Sequence, residues 1–274
     1  MNQPTSLAAP LEIAAIAAAL DAYGGLARRF DVDVLSECDS SNNRLMERAE
    51  AGAPSGTVIV VEHQTAGRGR RGRSWLSAPG DSLTFSLLWR FPQGASLAGL
   101  SLAIGVALAR ALEALDINRI ALKWPNDVLL NGRKLAGILI ELAPSPQPVP
   151  NLAAVIGIGL NLRLPPDLPD DIRGNAAALT DTDLALPDAN ALLALLLAHL
   201  HEHLQSFTHQ GFPGVRMEWL TRHANEGKEV RLLSDFAPPL DGYCRGIDDD
   251  GALLLETASG LQRIISGDVT LRIR

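Results

Sequence analysis

Leu122-Lys123-Trp124-Pro125-Asn126-Asp127-Val128-Leu129-Leu130-Asn131-Gly132-Arg133-Lys134-Leu135-Ala136-Gly137-Ile138-Leu139-Ile140-Glu141-Leu142 carries the clearest local signal in the chain. Two apolar runs flank Asn131-Gly132, a pair that suits a type I′ turn because both residues tolerate positive φ. The stretch therefore predicts an antiparallel hairpin with arms Leu122–Leu130 and Arg133–Leu142. Period-two alternation on the second arm puts Lys134 on the face of Ala136, Ile138 and Ile140, aiming an ammonium along an apolar surface. That is costly unless an anion pairs with it; the plainer reading is that Lys134, next to the turn, snorkels to water. Gly137 removes a side chain from the strand, either for a close approach or for a bulge.

Upstream, Leu83, Phe85, Leu87 and Trp89 alternate with Thr84, Ser86 and Arg90 as in a strand, and Leu97–Leu115 has the length and composition of a core-facing helix. Thr57–Val61 is β-branched and apolar, as a buried strand is, and Asp31–Leu35 alternates like a strand with one wet face. Asp39-Ser40-Ser41-Asn42 supplies N-cap chemistry for a helix carrying Leu45, Met46 and Ala49, which Gly52-Ala53-Pro54 ends; an earlier helix covers Leu11–Leu20. Downstream, Pro144, Pro146, Pro148 and Pro150 form a stiff link into a strand at Ala153–Leu162. A Pro- and Asp-rich stretch from Leu164 precedes helices at Ala191–Phe207 and Phe212–Trp219. Beyond Asn225-Glu226-Gly227, short strands at Glu229–Leu233, Gly242–Ile247, Ala252–Glu256 and Leu261–Ile265 suggest a small β-barrel. The expected division is residues 1–224 and 225–274.

The 274 residues are 47% apolar and 20% charged, with a formal net charge of −7, which argues against a duplex-DNA binder working by bulk charge. No apolar run reaches the roughly 18 residues of a membrane span. No Lys or Arg precedes Arg28, and Glu12 interrupts Leu11–Leu20, so a secretory signal is missing and a cytoplasmic location is expected. Cys38 and Cys244 stand far apart with no CxxC, which suggests neither a disulfide framework nor a zinc cluster.

Gln64-Thr65-Ala66-Gly67-Arg68-Gly69-Arg70-Arg71-Gly72-Arg73-Ser74-Trp75 concentrates four arginines in an acidic protein. Arginine forks match phosphate and carboxylate oxygens, and glycines free the backbone to add N–H donors, so the loop suits an anion. A solvated charged loop and an RNA-gripping Arg-Gly segment are the competing readings. No P-loop motif occurs. An arginine loop and two lysines near strand ends fit strongly anionic reactants, such as a carboxylate attacking the α-phosphate of ATP, with Mg²⁺ bridging the phosphates.

In this order, Asp39-Ser40-Ser41-Asn42, the GRGRRGR core between Gln64 and Trp75, Lys123–Asp127 (KWPND), Arg133–Ile138 (RKLAGI) and Gly157-Ile158-Gly159-Leu160-Asn161 resemble the biotin protein ligases. The resemblance implies an α+β fold: a mixed β-sheet with packed helices, class II synthetase-like, followed by a small C-terminal SH3-like β-barrel. It implies adenylation of biotin by ATP to biotinoyl-5′-AMP, then transfer to one lysine of the biotin carboxyl carrier protein of acetyl-CoA carboxylase. By matching position, Ser40, Ser41, Asn42, Gln64 and Arg68 would hold the ureido ring, and Gly67 and Gly69 would let the loop backbone approach it. Arg70 matches the arginine that closes over the adenylate, and Lys134 the lysine that contacts the carboxylate and α-phosphate; both are expected to be catalytic and to touch biotin, as does Gly137. Arg73, Trp75, Lys123, Asn126 and Asp127 would line the ATP side, with Trp75 covering the adenine or ordering the loop. Ser41 stands where the family commonly has Thr, keeping the hydroxyl and losing a methyl.

Some family members carry a winged helix-turn-helix repressor module, which needs more chain than the 38 residues before Asp39, so no specific DNA binding is expected. A lipoate or octanoate protein ligase or transferase is the sister alternative, and an RNA-binding module the alternative from another class. Exposed strands of the central sheet leave room for a homodimer. His199, His201 and His203 read as a solvated helix end rather than a metal site, and Asp248-Asp249-Asp250 as a turn. Arg272 resembles a C-terminal arginine that touches ATP in the family but is not assigned here.

Overall fold

The structure is a computed structural model that describes residue 7 and residues 9–143, 152–234, 237–265 and 269–273. The proline link at 144–150 lies outside the described residues. Seven strands form a mixed sheet: β1 (Asp31–Cys38), β2 (Thr57–Gln64), β3 (Ser82–Phe91), β4 (Ile120–Lys123), β5 (Asp127–Leu130), β6 (Arg133–Ala143) and β7 (Leu152–Asn161). Their order is β1-β2-β3-β7-β6-β5-β4, with β1 and β2 parallel and the other neighbours antiparallel. One face, carrying Val58, Val60, Phe85, Leu87, Ile156 and Ile158, packs under α1 (Ile13–Asp21), α3 (Leu100–Glu113) and α5 (Ala189–Gln210). Among the described residues, one helix lies on the other face, at one end, where α2 (Ser41–Glu50) buries Leu45 and Ala49 against Ile59, Val61, Leu88 and Val155.

The predicted hairpin holds at its turn and changes in its arms. Asn131 and Gly132 take φ of 51° and 78°, as a type I′ turn requires. Leu122–Leu130 is two strands, β4 and β5, because Pro125 cannot donate to a ladder and the chain turns over Trp124-Pro125-Asn126. On β6 a bulge at Leu135 shifts the register, so that Leu129 faces Lys134 while Val128 faces Ala136. Leu135, Ala136 and Ile138 all enter the core, and Lys134 moves to the opposite face, beside Gly137. The predicted apolar-face placement of Lys134 is thus corrected.

Other departures have equally local causes. Ser40 is the N-cap of α2 but makes no side-chain cap bond; the first N–H of the helix, on Ser41, instead donates to Gln64 Oε1 at 2.7 Å. The long stretch after Leu164 holds a short helix, α4 (Asp170–Arg173), and a single 3₁₀ turn at Leu179–Asp181. Phe212–Trp219 is broken into a 3₁₀ turn, Phe212–Gly214, and α6 (Arg216–Thr221). The histidine run is partly buried rather than simply solvated, since His201 packs edge-on against Phe30 and Trp89, and the His203 ring bonds the His199 carbonyl at 2.9 Å.

Five antiparallel strands follow: β8 (Glu229–Ser234), β9 (Leu240–Ile247), β10 (Leu253–Thr257), β11 (Gly260–Ile264) and β12 (Val269–Ile273), in the order β11-β10-β9-β8-β12. The acidic triplet is a turn, with Asp248 accepting from the Asp250 and Ala252 N–H groups and pairing with Arg263. β12 was not anticipated. The turn between β9 and β10 meets the KWPND turn, where Trp124 Nε1 donates to Gly251 O at 3.0 Å, while Leu122 N–H donates to Arg222 O, just past α6, at 2.7 Å. No helix among the described residues is long and apolar enough to cross a membrane.

Candidate active site

The uncovered half of the α2 face forms a cleft with a floor of small side chains. Cross-strand register sets Ser86, Gly157 and Leu139 in one row and Thr84, Gly159, Gly137, Asp127 and Lys123 in the next. The glycines make room for what lies above them. A Cβ on Gly157 would stand 2.3 Å from Asn42 Oδ1, and one on Gly159 would stand 2.2 Å from Trp75 Cε2. The N-terminus of α2 enters over the first row and the arginine loop over the second.

At the first row the polar groups are buried and paired. Ser86 Oγ lies 2.7 Å from Ser41 Oγ and 2.5 Å from Asn42 Oδ1, while Asn42 Nδ2 donates to Glu141 Oε2 at 2.8 Å. Ser40, Ser41, Asn42 and Gln64 are each less than a tenth exposed. Gln64 accepts from Ser41 N–H, and its own N–H donates to Ser77 Oγ at 3.0 Å. Arg68 reaches down to Glu141 Oε2 at 2.8 Å.

At the second row the charges gather. Lys134 Nζ pairs with Asp127 Oδ1 at 2.7 Å and lies 5.7 Å from the centre of the Trp75 ring. Burial pushes the Lys123 ammonium below the usual lysine range; Asp127 opposes this, and Lys134, Arg272 and Arg73 add to it. Leu271 of β12 also lines the cleft. Backbone bonds fix Lys134 in place, its N–H donating to Asn175 O and its carbonyl accepting from Ala177 N–H, both at 2.8 Å.

The loop closes on itself, with Gly69 N–H donating to Arg73 O at 2.7 Å and Trp75 N–H to Gly67 O at 2.8 Å. A Cβ on Gly67 would meet Trp75 O at 2.4 Å. Trp75 lays its ring against the glycines of β6 and β7, and its buried indole N–H has no hydrogen-bond partner among the described residues. Arg70 and Arg73 also line the cleft. The Asn126 amide is spent on Ile138 O at 2.8 Å, tying the KWPND turn to β6.

Of the residues singled out from sequence, Ser40, Ser41, Asn42, Gln64, Arg68, Gly69, Arg70, Arg73, Trp75, Lys123, Asn126, Asp127, Lys134 and Gly137 border this one cleft, and Gly67 lies behind Trp75. Gly137 is not itself bulged; its missing side chain leaves space for Lys134 and Trp75. Ser86, Thr84, Glu141 and Leu271 were missed. For Ser86 and Thr84 the signal was present, as the polar alternates of β3.

Residues 35–161 match the Biotin/lipoate A/B protein ligase family, and residues 227–272 match the Biotin protein ligase C terminal domain, whose fold is SH3-like. Bifunctional ligase/repressor BirA of Salmonella typhimurium is 37% identical over 243 residues, covering 88% of this chain and 74% of that protein. Biotin--[acetyl-CoA-carboxylase] ligase of Mycobacterium tuberculosis is 35% identical, covering 87% of this chain and 88% of that one. Biotin protein ligase from Aquifex aeolicus, solved in complex with biotin and ATP, superposes with a TM-score of 0.77 at 31% identity over 89% of this chain and 99% of that one. With this similarity running through both sheets and the cleft, the chain belongs to the biotin protein ligase family.

Proposed function

We propose that this ligase adenylates biotin with ATP, giving biotinoyl-5′-AMP and pyrophosphate, and then passes the biotinoyl group to one lysine of the biotin carboxyl carrier protein of acetyl-CoA carboxylase. The observation that carries the reading is the division of one cleft into a buried hydrogen-bonding row, Ser41, Asn42 and Gln64, and an adjoining cationic row around Lys134 and Lys123. A ureido ring needs fixed polar partners, and a carboxylate meeting a triphosphate needs positive charge where the two join.

Ser40, Ser41, Asn42, Gln64 and Arg68 hold the ring end, and Gly69 lets the loop come near. Lys134 reaches back over the second row beside Gly137; as the biotin carboxylate attacks the α-phosphorus, its ammonium exchanges Asp127 for the developing charge. Arg70 covers the adenylate so that the mixed anhydride is kept from water. Arg73, Lys123, Asn126 and Trp75 border the nucleotide, and the Trp75 indole N–H, with no partner among the described residues, is a donor for it. In the second step the carrier lysine attacks the acyl carbon and AMP leaves, a far better leaving group than a carboxylate oxygen. Asp127 is the one carboxylate in the cationic row among the described residues, Glu141 lying at the ring end. Mg²⁺ would therefore be held mainly by ATP phosphates, as that ion prefers, with Asp127 the protein oxygen nearest to hand; it neutralises phosphate charge when bound.

ATP–pyrophosphate exchange with biotin, lipoate or octanoate as the acid tests the reading. Exchange with biotin alone is expected; exchange with lipoate or octanoate alone would move the protein to the sister activity. No exchange with any acid would overturn adenylation.

A further inference from the structure

Glu141 has no part in the chemistry above, yet its side chain reaches the ring end of the cleft. It lies on β6 two residues beyond Leu139, on the face that carries Gly137. One oxygen, Oε2, accepts from both Asn42 Nδ2 and Arg68 Nη2, each at 2.8 Å. The same Asn42 nitrogen also donates to Leu139 O at 3.4 Å, and Asn42 Oδ1 lies 2.5 Å from the Ser86 hydroxyl. A carboxylate and a carbonyl accept only, so both amide hydrogens are committed and the amide has one favourable orientation. Turned over, Oδ1 would face the Glu141 carboxylate and both bonds would be lost. With one Oδ1 lone pair taken by the Ser86 hydroxyl, what Asn42 then has for a ligand is the second Oδ1 lone pair.

We propose that Glu141 is a positioning residue that fixes Asn42 as a hydrogen-bond acceptor and holds Arg68 at the cleft edge, so that this end of the pocket selects acids whose ring carries N–H donors. The inference rests on the biotin reading and deepens it, because a ureido ring has two N–H groups and a dithiolane ring has none. A site built around a committed acceptor rejects a ligand that leaves the acceptor unpaired. Substituting Glu141 releases the amide to flip and frees Arg68, which loosens biotin recognition without touching the nucleotide side.

The test is ATP–pyrophosphate exchange on wild type, Glu141→Gln and Glu141→Ala, and on Glu141→Ala in an Asn42→Ala/Arg68→Ala background. Loss of these charge-assisted bonds is expected to raise the biotin KM about tenfold in either single variant, leaving the ATP KM within about twofold. In the double background nothing remains to be positioned, so Glu141→Ala should add no further effect. A merely structural residue would instead move the melting temperature and both KM values together. A biotin KM within about twofold of wild type in Glu141→Gln would overturn the proposal, as would a Glu141→Ala effect undiminished in the double background; the isosteric Gln variant decides alone if Ala does not fold. Absence of biotin-dependent exchange in wild type would sink the biotin reading itself, a different outcome from active wild type with unaltered variants.

Discussion

Gly159→Ala tests whether the Trp75 ring seated on the sheet organises the arginine loop. The added Cβ would stand 2.2 Å from Trp75 Cε2, where ordinary contact begins at 3.4 Å, so the ring must retreat by 3.4 − 2.2 = 1.2 Å. The loop is coupled to that movement, because Trp75 N–H donates to Gly67 O at 2.8 Å and Trp75 O stands 2.4 Å from where a Gly67 Cβ would be. Overpacking of this kind costs about 1–3 kcal/mol. Carried by the whole fold, it would lower Tm by about 2–4 °C per kcal/mol. The outer side of the loop is exposed at Gly72, Arg73 and Ser74, so lifting the loop relieves the clash instead. The cost then falls on binding: biotin KM should rise by about tenfold or more, equivalent to about 1.4 kcal/mol, with faster loss of biotinoyl-AMP and little change in Tm. Exchange kinetics and release of labelled adenylate on a gel-filtration column measure the two effects. A variant with wild-type biotin KM and wild-type adenylate retention would refute the idea that Trp75 on Gly159 organises the loop.

Lys134→Ala should slow adenylate formation more than tenfold, over about 1.4 kcal/mol of transition-state stabilisation; an unchanged pyrophosphate-exchange rate would remove Lys134 from the chemistry. Arg70→Gly should leave adenylation active and raise release of biotinoyl-AMP, measured by trapping the free intermediate; retention equal to wild type would contradict its covering role. Burial holds the His199, His201 and His223 imidazoles below the usual histidine range, with Glu226 partly opposing this at His223. The unfolded chain therefore takes up protons before the folded one as pH falls. Stability from these groups is complete above about pH 6.5 and drains as pH drops from there toward the lower folded values. Tm should fall as pH drops below about 6.5, and His223→Gln should flatten that slope; an unaltered slope would argue against His223 as a contributor.

What the sequence makes legible is what local chemistry decides. Asn131-Gly132 states its own turn, and the alternation in β3 separates Leu83, Phe85 and Leu87 from Thr84 and Ser86, although not that the polar side is buried beneath a cleft. Val269, Leu271 and Ile273 alternate with Thr270 and Arg272, so β12 carried a strand signal that its shortness concealed. Ser40 and Ser41 look like caps because the capping preference is local, whereas Gln64, 23 residues from Ser41 in the chain, satisfies the helix N–H and leaves the hydroxyls to the cleft. Glu141 reads as an ordinary polar strand position, since its partners come from two distant segments.

The bulge at Leu135 shows why register, rather than composition, separates core from site. The type I′ turn fixes Leu129 opposite Lys134, while the pairing of β6 with β7 fixes Ala136 opposite Leu160 and Ile138 opposite Ile158, all four in the core. In a regular strand of this sequence, keeping Ala136 and Ile138 inside would turn Lys134 inward with them. An ammonium buried there without a partner costs several kcal/mol. The extra residue absorbs the conflict: Leu135 joins the core fully buried, and Lys134 emerges on the opposite face within 2.7 Å of Asp127. One strand can then hold up the hydrophobic core and deliver a cation to the reacting end of the cleft, something neither the alternation of its residues nor the turn that starts it reveals alone.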